Sequence, residues 1–243
     1  MINLLKLEFH KLKHNKSFLI IALITVIAEI INVIKNGTIS GERAFQNSMY
    51  DIATLMLLGS VFAGLFIGTD FSNRIINKEV SAGHSRLKIL LSKGILFFLA
   101  TEMIMLVYPI ASVTVNTILN GWGSSFDLST VIYIIKTILF RMVLDASCIS
   151  LWIFIAFLCK DVTKTMGVSI LVFMMGSITL AGLSFQNNFV KTIYDFTAHS
   201  QARVIVNKSI SYAQVTSVLI SKLIIISILL SLSYIMFRRT ELK

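Results

Sequence analysis

The chain has 243 residues, of which 56% are apolar and only 14% charged, with a mean hydropathy of +0.82. Soluble domains carry roughly 25% charged residues, so this composition excludes a surface made for water. The formal charge of +10 does not point to nucleic acid, because the basic residues fall in short clusters between apolar runs and leave no basic face for a duplex. In lipid a backbone must satisfy its own hydrogen bonds, which leaves helices or a closed barrel. The apolar stretches are long, do not alternate with period two, and contain a single proline. The fold class is therefore an all-α integral membrane protein, not a barrel.

Residues 1–16 predict an amphipathic interfacial helix, with Met1, Ile2, Leu5, Phe9 and Leu12 on one face and Lys6, His10, Lys13 and His14 opposite. A signal peptide is disfavoured, because no small-residue cleavage site follows and Glu29 interrupts the apolar run. Six transmembrane helices are expected, at about 17–34, 51–68, 95–119, 131–158, 166–185 and 215–237. Most are near the ~20 residues that cross ~30 Å of hydrocarbon. Two connections are longer than simple turns, 70–93 and 186–214. The second carries Phe189, Ile193, Tyr194 and Phe196 at spacings that fit a short helix lying on the membrane surface.

With both termini inside, fourteen of the 22 basic residues fall on the cytoplasmic side and five on the outer side. That bias follows the positive-inside rule and an even number of spans. In this arrangement 70–93 is cytoplasmic and 186–214 external.

The stretch DFSNRIINKEVSAGHSRLKILLSKG, 70–94, is the most informative. Ile75 and Ile76 stand close to Lys78 and Glu79, Gly83 supplies a break, and Leu87, Leu90 and Leu91 return the chain to the membrane. A short amphipathic helix of this kind docks into a groove on a partner, and an ordinary basic loop gives the same spacing. Inside the spans, Glu29, Glu102, Arg141 and Asp145 are the deepest charges. Arg141 and Asp145, four residues apart, share a helix face, and Glu102 can approach them if the third and fourth spans are neighbours. They read equally as a polar lining for a path and as an internal lock between helices. Lys136 and Lys222 lie nearer the outer ends and are expected to snorkel to headgroups. Gly59, Ala63, Gly64 and Gly68 indicate close helix packing. His10 and His14 are an i, i+4 pair with no further ligand nearby except Glu8, so a solvated face is expected in place of a metal site. Cys148 and Cys159 read as ordinary buried thiols.

The order of these parts resembles the permease subunits of type-2 ATP-binding-cassette (ABC) exporters. In that family the loop after the second span carries a glutamate, a glycine, basic residues and then a lysine opening the third span. Glu79, Gly83, Arg86, Lys88 and Lys93 match that order. The resemblance covers nearly the whole chain by architecture and about 70–94 by motif. It implies an ATPase-coupling segment including Asp70, Arg74, Lys78, Glu79, Gly83, Arg86 and Lys88. It also implies a separate ABC ATPase carrying ATP and Mg, a second permease subunit, and a bacterial cell membrane. The chain itself has no G-x-x-x-x-G-K-[ST] loop and no expected cofactor. Small members of this family are associated with export of, or immunity to, antimicrobial peptides such as lantibiotics and bacteriocins. An amphipathic or toxin peptide is therefore the expected substrate. A sensor or immunity protein that binds a peptide without moving it, and an intramembrane enzyme, are the competing readings.

Overall fold

The computed structural model describes residues 1–51, 53–207 and 211–240. Residue 52 of the second expected span, 208–210 of the expected external segment and 241–243 of the tail lie outside the described residues.

Helices α1 (Ile2–Lys13) and α2 (Lys16–Asn36) meet at Asn15, whose side-chain oxygen accepts from the Ser17 and Phe18 amides at 2.9 and 3.3 Å. This cap supplies partners that the first helical amides lack, so the chain leaves the short helix directly for the first apolar one. The expected face of α1 is corrected. The inward stripe is Leu4, Glu8 and Leu12, while Ile2 and Phe9 are exposed. Glu8 faces inward because a buried cation waits for it on the helix α1 packs against.

Between the first two expected spans the chain forms a helix that composition hid, α3 (Gly41–Tyr50), which buries Ala44, Phe45, Ser48 and Met49. The second span follows as α4 (Ala53–Ala63), a π turn over Gly64–Gly68, and α5 (Thr69–Ser72). Arg74 then adopts a left-handed conformation (φ 56°), and the helix resumes as α6 (Ile75–Ser81), bent by 54°. Long helices α7 (Arg86–Asn120) and α8 (Leu128–Cys159) come next. They are followed by α9 (Val162–Met174), a second π turn (Met175–Thr179) and α10 (Leu180–Ser184). Two short helices, α11 (Asn188–Asp195) and α12 (Ala198–Ile205), precede the last, α13 (Tyr212–Arg239).

Among the described residues, four helices are long and apolar enough to cross a membrane, or five if the bent pair from Met56 to Ser81 is one span. The run from Val162 to Ser184, where a further span was expected, is broken by its π turn. Its regular part, Val162–Met174, falls short of the ~20 residues a straight crossing needs.

Cross-links identify the two ends of the bundle. Arg86, at the start of α7, donates to the carbonyls of Phe237 and Arg238 at the close of α13, at 2.6 and 2.5 Å. With α1 packed on α7, the N-terminal helix, 70–93 and the end of α13 share one end. At the other end, the Gly41 amide donates to Gly121 (3.0 Å), Arg203 to the Tyr50 hydroxyl (2.7 Å) and the Tyr133 hydroxyl to Val206 (2.7 Å).

The core is aromatic. Phe62 and Phe66 stack on Phe97 with ring centres 5.5 and 6.1 Å apart, and Trp152 lies fully buried against Gly59. The small residues of the second span pack within the chain. A Cβ at Gly59 would stand 2.2 Å from Trp152, and one at Gly68 would stand 3.0 Å from the Val162 backbone. Cys148 and Cys159 are free thiols, the first buried.

Candidate functional site

At the end where α1 and the close of α13 lie, four segments converge on one ammonium group. Lys93, two turns into α7, has no exposed surface. Its Nζ lies 2.5 Å from Glu8 Oε1, 2.7 Å from Asp70 Oδ2 and 3.0 Å from Glu79 Oε1. A lysine has three N–H donors, and each one here reaches a different carboxylate from a different helix. Lys11 adds a second cation. It pairs with Asp70, lies 3.8 Å from Glu8 Oε2, donates to the Phe66 carbonyl at 3.3 Å, and sits 4.5 Å above the Phe66 ring. Phe66 belongs to the first π turn.

The local chain explains how these groups meet. Asp70 rides on α5, just past the π turn. The left-handed Arg74 turns the chain so that α6 lies across the bundle end, with Ile76 fully buried and Glu79 one turn later on the same side. Gly83 (φ +85°) and the Ser85 cap then redirect the chain into α7. A side chain at that φ is strained, so glycine suits the turn. Burial holds the Glu79 carboxyl above the usual carboxylate range, outweighing the neighbouring Lys93 charge. An isolated buried ion is costly, and removing one member of such a set leaves the others uncompensated. The cluster therefore works as a joint that ties α1, α5, α6 and the foot of α7 into one body.

The residues expected in 70–93 divide into three roles. Asp70 and Glu79 are in the joint. Arg74, Lys78 and Gly83 are exposed on α6 and its flanking turns, and Lys88 is exposed on the first turn of α7. Arg86 holds the C-terminal end of α13, its guanidinium 5.5 Å above the Phe237 ring. Glu8 and Lys11 were not foreseen. The available signal was an acid midway between Leu4 and Leu12, at the spacing of a buried helical stripe.

The intramembrane charges occupy two places. Arg141 Nε lies 2.9 Å from both Asp145 oxygens, and Arg141 also donates to the Met49 carbonyl near the end of α3. Glu102 lines the same small cavity, about 10 Å³ or room for one water. Glu102 Oε1 and Arg141 Nη2 have no hydrogen-bond partner there among the described residues. Glu29 stands apart, accepting a hydrogen bond from the Asn32 side chain (3.4 Å). Lys222 corrects the snorkelling expectation. It is 1% exposed and donates to the Phe196 carbonyl at 2.6 Å, so it ties α13 to the end of α11.

In comparison with known families, the family described as "ABC-2 family transporter protein" aligns with residues 4–179. No curated protein matches the chain.

Proposed function

Because the chain belongs to the ABC-2 transporter family and is thus a membrane permease component of an ABC transporter, we propose that α6 is the element through which a separate ATPase drives it. The observation that carries this reading is the joint: α6 is anchored by Glu79 to Lys93, and Lys93 in turn holds α1 and α5. Force applied to the exposed side of α6 and its flanking turns, at Arg74, Lys78 and Gly83, passes to the foot of α7, where Lys88 is also exposed, with little slack. ATP and Mg belong to the partner ATPase. The working unit is an exporter built on two permease subunits, with 162–184 as a sixth crossing and both termini in the cytoplasm of a bacterial cell. The basic end of the bundle and the shared position of α1, 70–93 and the α13 end support that orientation. The substrate is an amphipathic or antimicrobial peptide, a class suited to the largely apolar bundle.

The test co-reconstitutes the permease with its ATPase in proteoliposomes and compares ATP turnover with peptide transport. Lys78→Glu and Gly83→Val alter only the exposed side and the turn, and should reduce transport per ATP while the permease stays folded. Coupling unchanged in both variants would overturn the assignment. So would labelling of a cysteine at position 78 by an impermeant reagent added outside intact cells.

A further inference from the structure

Three cations are buried inside the described bundle, and they are not treated alike. Lys93 has three carboxylates and Arg141 has Asp145, whereas Lys222 forms no ion pair among the described residues. One N–H of Lys222 goes to the Phe196 carbonyl, which leaves two donors of the ammonium. A charge held in the apolar interior without a counter-ion is costly and marks a functional position.

Lys222 lines a cavity of about 390 Å³ between α9, α11 and α13, floored by α8. Its walls are almost wholly apolar, including Leu151, Phe173, Leu180, Ile225 and Leu229. A volume in the range of small-molecule sites, apolar walls and one cation make a defined recognition pattern. Lys222 sits ten residues from Tyr212, the start of α13, or about 15 Å along the helix. The anionic group it would meet is therefore drawn below the headgroup layer.

We infer that this cavity binds an anionic amphiphile, its chain against the apolar walls and its carboxylate or phosphate on the Lys222 ammonium. The inference does not depend on the coupling reading, because the cavity is remote from the joint at the other end.

The experiment uses the full chain in nanodiscs and a palmitic-acid analogue carrying a mid-chain diazirine, with the matching alcohol as the uncharged probe. After photolysis, peptides from α8, α9 and α13 are read by mass spectrometry. The acid should label these peptides about tenfold more than the alcohol, as expected for a charge-assisted contact in an apolar site. Lys222→Met should abolish that preference and Lys222→Arg should keep it. A side chain at Gly176 meets open space in the structure, so Gly176→Leu should fill the cavity and lower labelling by both probes without disturbing the Lys222 contact to α11. Competition identifies the source: displacement by palmitate assigns a free amphiphile, and displacement by phosphatidylglycerol assigns a resident membrane lipid. Equal labelling by acid and alcohol, insensitivity to Gly176→Leu, or displacement by neither competitor overturns the inference.

Discussion

Lys93 and Glu8 are 85 residues apart in sequence and 2.5 Å apart in the fold. Nothing local brings them together. Their pairing fixes where the N-terminal helix lies, and it sets the strongest expectation about stability. Lys93→Met would leave three buried carboxylates facing one another, with Lys11 the one remaining cation paired to them among the described residues. The loss should be ~3–5 kcal/mol, the usual result of removing one partner of a buried set. Thermal unfolding in detergent measures it. Combining Lys93→Met with Glu8→Gln should cost less than the sum of the two, and simple additivity would argue against a shared network.

The close approach of the first π turn to the start of α9 gives a second expectation. Gly68 meets the backbone of Val162 and Asp161, which cannot yield as a side chain does. Gly68→Val should destabilise by ~1–3 kcal/mol through overpacking. Gly167, where an added Cβ meets nothing within 4 Å, is the control, and Gly167→Val should stay within about 0.5 kcal/mol. Equal shifts in the two unfolding temperatures would contradict the packing account.

Arg86 supplies a third. Its two contacts satisfy carbonyls that a helix end leaves without partners, and a cation there also complements the helix dipole. Arg86→Ala should loosen the close of α13 by about 1–2 kcal/mol, a value reduced for its partial exposure. Hydrogen exchange would show faster amides near Phe237, while the Glu8–Lys93 joint keeps its protection.

A pH dependence follows from His199 on α12. Its pKa is lowered from 6.5, first by burial and then by the nearby Arg203 charge. The folded state therefore prefers the neutral ring. Stability from this group is complete above the unfolded value and is lost as pH falls through the lower, folded one. Amides of α12 should exchange faster as pH drops from about 7.5 to about 5, and His199→Gln should flatten that trend. A wild-type profile indistinguishable from that of His199→Gln would count against it.

Sequence made the lipid-embedded helical class plain, because long apolar runs carry that signal without any tertiary knowledge. It also marked 70–93 through Glu79, Gly83 and the basic residues around them. The remainder depended on distance. α3 is too polar to register as a span, yet its apolar side is needed against α7. Glu8 and Lys11 looked like solvated residues of a surface helix, because their partners lie 59 to 85 positions away. Lys222 looked peripheral by its place along the last span, since nothing in that span reveals that α11 folds back over it. Arg141 and Asp145 were readable because their pairing is one helical turn long.

The wide turn at Gly64–Gly68 has a consequence for how the second span tolerates changes in length. An i→i+5 turn absorbs one residue more than regular α geometry requires. Removing a single residue within it should let the helix close up while Asp70 keeps its azimuth toward Lys93. The same deletion a turn earlier, in α4, would rotate everything beyond it by roughly 100° and aim that carboxylate elsewhere. The span therefore carries its spare length at one place, directly above the joint it must keep in register.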